Sequence, residues 1–243
     1  MLARSRDCGR ACLPQVGFER VKRMKFLKTV LMSKWTKVGV FLLCLVPLGL
    51  LLWKGYHNDL TLNPVEYVEH RTGDWILRFL CITLAITPLR KILRLPELIR
   101  YRRMLGLFAF FYALLHFSTW LGVDRYFEWK LILDDIGKRP FITVGFTGFV
   151  LMIPLAITST AGWIRRLGGK RWQMLHRAIY ISAVCGVIHY YWLVKSDVRK
   201  PIEYGVIVAA LLVWRIGSWI SGRRRKAGKV RIARDEVVTA ETV

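Results

Sequence analysis

HRAIYISAVCGVIHYYWL, residues 176–193, is the stretch whose reading decides the fold. Residues 178–194 carry no Asp, Glu, Lys or Arg, yet two imidazoles, His176 and His189, lie thirteen residues apart at the two ends of this segment. A second uncharged segment, residues 104–123, contains His116. An imidazole is costly in hydrocarbon, so a histidine in such a segment is expected to have a task. Two parallel helices that present imidazoles to each other suit axial ligation of haem iron, which takes one nitrogen donor above the porphyrin and one below.

The rest of the chain supports a membrane setting. Of 243 residues 54% are hydrophobic, and they fall into several long apolar runs, the mark of a polytopic membrane protein. Residues 38–53, 104–123, 141–164 and 178–194 lack Asp, Glu, Lys and Arg. Two weaker runs, 75–89 with Arg78 and 202–220 with Arg215, carry a cation near one end, where a long side chain can reach the headgroups. The expected fold is therefore an all-α membrane protein of six transmembrane helices forming a haem-binding bundle. Trp35, Trp53, Trp120, Trp163, Trp172, Trp192 and Trp219 lie near the proposed span ends, where indoles favour the interface.

A net charge of +23 would suggest a nucleic-acid partner in a soluble protein, but its distribution along the chain argues against one. Residues 1–37 hold ten Lys/Arg, 90–103 hold six, 165–171 hold four and 223–234 hold seven, whereas the intervening loops hold two, four and three. The positive-inside rule then puts both termini and the two basic loops in the cytoplasm. Membrane lipid, not nucleic acid, is the expected partner of this charge. Three regions follow: a basic cytoplasmic segment 1–34, a six-helix domain 35–220 and a basic cytoplasmic tail 221–243. No small-residue cleavage site follows Trp53, so the first run is expected to be a retained anchor; residues 1–23, ahead of the basic stretch after Met24, are expected to be disordered.

Cys44, Cys81 and Cys185 fall in apolar runs and Cys8 and Cys12 in the basic N-terminal segment, which argues against an exported disulfide framework. There is no G-x-G-x-x-G, P-loop or C-x-x-C-H, so covalent c-type haem is unsupported and no nucleotide-reducing domain is expected within the chain. Gly168-Gly169 reads as a turn.

Helical rise orders the histidines by depth. His116 lies about 20 Å beyond Arg103 and His189 about 25 Å beyond Trp172, both toward the outer side, which makes them the best ligand pair. His176 lies about 20 Å from His189, near the cytoplasmic face, at a level suited to a second, inner haem. No histidine stands opposite it; Arg102 and Met104 are the nearest polar or sulfur-bearing residues. His57 and His70, in the first outer loop, are expected not to ligate. Arg177 and Arg78 could pair with haem propionates. Glu66, Glu69 and His70 are loose candidates for a quinol site, and Asp124, Glu128, Asp134 and Asp135 give the 123–140 loop an acidic face for a partner.

Several strings, taken together, carry a family resemblance: Asn63-Pro64-Val65-Glu66-Tyr67, Thr72-Gly73-Asp74-Trp75, Thr87-Pro88-Leu89-Arg90, Arg103-Met104-Leu105-Gly106, His116 with Trp120, Leu175-His176-Arg177 and His189-Tyr190-Tyr191-Trp192. Across residues 35–220 the chain resembles the MsrQ (YedZ) family, the haem-binding membrane subunit of the bacterial periplasmic methionine sulfoxide reductase system, related to the ferric reductase-like transmembrane domain. The resemblance implies an inner-membrane b-type cytochrome with one or two haems on His116, His176 and His189. Its electrons would come from the quinone pool or a cytoplasmic flavin reductase and pass to an MsrP-like periplasmic molybdopterin subunit, which performs the sulfoxide chemistry. The family is also associated with FMN, for which no residues stand out. Arg102 occupies a place where two-haem relatives of the wider superfamily might carry an inner histidine. Two readings from other classes compete: a small transporter using intramembrane histidines, disfavoured by the lack of paired intramembrane carboxylates and of an internal repeat, and a haem-based sensor signalling through the basic tail.

Overall fold

A computed structural model describes residues 15–194 and 197–241. All regular elements among them are helical: α1 (Gln15–Met32), α2 (Lys34–Tyr56), α3 (Pro64–Ile92), α4 (Ile99–Thr119), α5 (Trp129–Lys138), α6 (Pro140–Ile157), α7 (Ala161–Leu175), α8 (Ala178–Leu193) and α9 (Arg199–Glu241). A 3-10 turn, Pro96–Leu98, precedes α4 and a π-helical turn, Trp120–Asp124, follows it.

The chain divides into two compact units, residues 1–43 and 44–243. In the first, Ser33 separates α1 from α2: its hydroxyl accepts from Trp35 N–H at 3.2 Å, and the Thr36 hydroxyl donates to Val30 C=O at 2.6 Å. Of the stretch expected to be disordered, residues 1–14 lie outside the described residues, and from Gln15 onward the backbone is helical.

In the second unit α3 packs along α4 and α6 along α8, with α9 against α3 and α8. Leu77, Leu80 and Leu84 of α3 meet Leu105, Phe108, Ala109 and Tyr112 of α4 in the buried core. Small residues bring backbones close, as membrane helices require. A Cβ on Gly148 of α6 would stand 3.1 Å from Cys185 Cβ of α8, and one on Gly186 would stand 3.1 Å from Leu77 Cδ2. Near Pro47 of α2 the Tyr112 hydroxyl enters the helical ladder, donating to Cys44 C=O at 2.9 Å and accepting from Leu48 N–H at 3.1 Å. Inserted groups of this kind re-satisfy the backbone beside a proline in a spanning helix.

Four stretches are long and apolar enough to cross a membrane: Lys34–Tyr56, Pro96–Asp124, Pro140–Ile157 and Arg199–Arg224. They hold four of the six expected spans. The segment 75–89 lies within α3, whose 29 residues extend about 43 Å, longer than a hydrocarbon core of about 30 Å. The segment 178–194 forms α8, of 16 residues. α3 starts cleanly: Asn63 Oδ1 accepts from Glu66 N–H at 3.3 Å and Pro64 takes the first helical position, where a missing N–H costs nothing.

Three local features depart from the sequence reading. The run 141–164 is broken, because the Thr158 and Ser159 hydroxyls turn back onto Pro154 and Leu155 C=O at 2.6 and 2.7 Å while Thr160 caps α7 through Trp163 N–H at 3.3 Å. The expected turn at Gly168-Gly169 is a kink inside α7, with Gly168 at φ 71°, which only glycine adopts at little cost. The loop 123–140 contains a helix, α5, that buries Ile132 and Asp135 and leaves Trp129 and Leu133 exposed; this amphipathic pattern suits a helix lying at a membrane interface.

The α6–α8 contact yields a test. Gly148→Leu is expected to destabilise the protein by about 1–3 kcal/mol through overpacking, read as a lowered midpoint of thermal unfolding in detergent. Gly217→Leu, where a Cβ meets nothing within 4 Å, should leave that midpoint in place.

Candidate functional site

The helix pairs α3–α4 and α6–α8 enclose a cavity of about 370 Å³. One histidine comes from each pair: His116, near the end of α4, and His189, near the end of α8. Their ring centres are 6.2 Å apart with planes at 84°. The pair expected from helical depth is thus brought together.

Each ring is fixed by a backbone carbonyl. His116 Nδ1 is 3.0 Å from Glu69 C=O on α3, with the Thr72 hydroxyl at 3.2 Å, and His189 Nδ1 is 2.7 Å from Phe141 C=O on α6. A carbonyl only accepts, so Nδ1 must carry the proton in both rings and Nε2 keeps its lone pair. This outer hydrogen bond is the usual device that orients a ligating histidine. With Nδ1 committed in both rings and the ring centres 6.2 Å apart, Nε2 of His116 and Nε2 of His189 would be the atoms to hold a haem iron.

The walls fit a porphyrin rather than a bare ion. Among the described residues no group of three or more His, Cys, Asp or Glu gathers to hold a metal. Phe117 stacks on Phe149 with ring centres 4.7 Å apart and meets Phe146 at 5.9 Å, giving a broad aromatic wall. One end of the cavity is apolar, with Leu80, Gly148 and Met152; the other is polar, with Glu66, Glu69, Asp124, Arg125 and Arg139. Gly145 lets α6 approach His189, since a Cβ there would stand 2.6 Å from Nδ1. On the α3 side, a Cβ on Gly73 would stand 3.6 Å from His116 Cε1.

The remaining sequence candidates lie elsewhere. His176 caps the end of α7 at the corner before α8, so it does not share a helix with His189. Its ring stacks on Trp172 with centres 3.8 Å apart, Nδ1 faces Trp172 C=O at 3.1 Å, and Nε2 is 3.5 Å from the Ser159 hydroxyl. Partial burial holds its pKa below the usual histidine value, and the Arg102 charge adds to this. Arg102 and Tyr180 line a void of about 10 Å³, room for about one water. Arg78 spends its Nε on the Tyr204 hydroxyl at 3.1 Å, reaches Asp74 at 3.7 Å and lies over the Trp75 ring. Arg177 is exposed at the α7–α8 corner. Neither Arg78 nor Arg177 lines the cavity, whereas Glu66, Glu69 and His70 do. Glu69, ahead of the spanning part of α3, has its carboxyl pushed up to about 7, chiefly by burial and then by Asp124. The acids of the 123–140 loop are largely neutralised at home: Asp124 and Asp135 pair with Arg125, Asp135 also with Arg139, and Asp134 with Lys138.

Sequence reasoning missed Gly145, Phe141, Arg125 and Arg139. The π-helical turn one residue cycle after His116 is a distortion common at functional sites.

The chain is similar to known proteins over most of its length. The family described as "Ferric reductase like transmembrane component" matches residues 72–187. A Herminiimonas arsenicoxydans protein named protein-methionine-sulfoxide reductase heme-binding subunit MsrQ is 53% identical over 192 residues, covering 78% of this chain and 88% of that protein. Relatives of the same name from Caulobacter vibrioides and Xanthomonas euvesicatoria are each 49% identical, covering 76% and 79% of this chain and 87% and 90% of their own lengths. The chain belongs to the MsrQ family.

The family-matched region begins at Thr72, whose hydroxyl touches His116, and includes His116 and His176. A transmembrane family domain and the apolar helices together make this MsrQ family member a membrane protein. Within it, Gly145→Ala should force the His189 ring aside and reduce haem uptake severalfold, measured as the haem absorbance per protein; Gly39→Ala, in open space, should not.

Proposed function

We propose that this MsrQ family member is a b-type cytochrome of the bacterial inner membrane that carries electrons to a periplasmic methionine sulfoxide reductase subunit. The observation that carries this reading is the His116–His189 pair, 6.2 Å apart with both Nδ1 atoms tied to carbonyls. The relatives' printed name, heme-binding subunit, supports it.

When bound, haem supplies one-electron chemistry, with a potential set by ligands, burial and nearby charge. His116 and His189 would hold the iron through Nε2, while Glu69 and Phe141 carbonyls keep both rings in their tautomer. Phe117, Phe146 and Phe149 line the cavity and would give the porphyrin an apolar wall. The chain itself performs no sulfoxide chemistry; that belongs to the MsrP-like molybdopterin partner.

The orientation is the one set by charge: six spans, both termini in the cytoplasm, and the His116–His189 end toward the periplasm, where electrons leave. The quinone pool or a cytoplasmic flavin reductase is the donor. His176 sits on the opposite side, at the α7–α8 corner, and is the ligand proposed for any second, inner haem; its ring nitrogens leave Nε2 as the available donor. No residues are assigned to FMN or to quinol. The absence, among the described residues, of a three-ligand cluster weighs against a transporter whose histidines bind bare metal.

A reduced-minus-oxidised visible spectrum tests the reading. Purified protein should show b-type bands; His116→Ala and His189→Ala should each abolish the outer-haem contribution, and His176→Ala should leave it. A spectrum without haem bands, or bands that survive both of the first two substitutions, would refute the assignment. Reoxidation on adding the periplasmic subunit then separates a carrier from a sensor.

A further inference from the structure

Haem carries two carboxylates on one edge, and a cavity that binds it buries the rest of the ring while finding cations for that edge. This inference rests on the haem reading above. The cavity is graded: Leu80, Gly148 and Met152 at one end, acids and arginines at the other. At the polar end the permanent cations lining the cavity are Arg125 and Arg139, and Arg78, Arg102 and Arg177 are not among its lining. Four carboxylates, Glu66, Glu69, Asp74 and Asp124, also face it, so a carboxylate placed elsewhere on the rim would meet like charge.

The two arginines are prearranged by one residue. Asp135, buried in α5, pairs through Oδ2 with Arg125 Nε and through Oδ1 with Arg139 Nε at 3.1 Å. Both contacts are ion pairs made through Nε, Arg125 Nη2 also lies 3.4 Å from Asp124, and the Arg139 side chain is half-exposed, open to a further carboxylate. A guanidinium edge suits a carboxylate, and holding it in advance lowers the ordering cost of binding. The helix α5 thus has a reason to exist: it carries the carboxylate that sets the spacing of two cations contributed by its flanks.

We propose that Arg125 and Arg139, spaced by Asp135, form a two-guanidinium clamp for the propionates of the haem held by His116 and His189. This replaces Arg78 and Arg177 as the propionate partners.

The test uses full-length protein made in haem-deficient cells and titrated with haem b or with its dimethyl ester, in which the propionates are blocked. Wild type should bind the ester at least roughly tenfold more weakly than haem b, the scale of one lost charge-assisted hydrogen bond. Arg125→Gln and Arg139→Gln should weaken haem b by a similar factor yet bind the ester as wild type does, and should lower the haem midpoint potential. Arg78→Gln should match wild type in both titrations. If wild type binds haem b and its ester alike, or if the arginine variants weaken both ligands equally, the clamp is wrong while the haem reading stands. Wild type that takes up neither compound overturns both.

Discussion

Two hydrogen bonds, from His116 Nδ1 to Glu69 C=O and from His189 Nδ1 to Phe141 C=O, set the constraint on which the site depends. Each crosses between helices, α4 to α3 and α8 to α6, so ring orientation is tied to the packing of the two helix pairs. A carbonyl in the first turns of a helix ordinarily bonds down its own axis. Here it also takes an imidazole from a neighbour, which is possible only where the backbones are close. Gly145, one turn after Phe141, provides that closeness, and Gly73 stands one turn after Glu69 on the other side.

From this constraint the remaining features follow in order. Small residues at α6–α8 set the width of the cavity, the phenylalanines of α4 and α6 line it, and the π-helical turn after α4 leads the chain into α5. The ends differ in chemistry because the chain differs there: spanning segments close one end with leucine and methionine, and loops close the other with paired charges. A haem-binding bundle of the MsrQ family thus emerges from helix contacts.

Much of this was legible in the residues. The juxtaposition of His116 and His189 was, because depth along a helix is linear in sequence and an imidazole in an uncharged run is rare. Residues 104–123 and 178–194 read as spans by length alone; the first lies within Pro96–Asp124, long and apolar enough to cross a membrane, whereas the second forms the 16-residue α8. The break at Thr158–Thr160 was not, since hydroxyl residues within an apolar run read as part of it until their bonds to Pro154 and Leu155 are known. Nor was the role of Gly145, because nothing local distinguishes a glycine facing an imidazole from one facing lipid, such as Gly39. The setting of Arg78, a candidate propionate partner, was not legible for a related reason: it sits at a plausible depth, but its rotation about α3 turns it to Tyr204. Rotation about a helix axis is what sequence depth leaves open, and packing decides it.

Electron paramagnetic resonance of the oxidised protein tests most directly whether His116 and His189 share one iron. Two imidazoles of neutral tautomer, with planes held at 84°, should give a low-spin ferric signal of strong anisotropy, lost in His116→Ala and in His189→Ala. A high-spin ferric signal in the wild-type protein, or a low-spin signal that persists in both variants, would contradict the account.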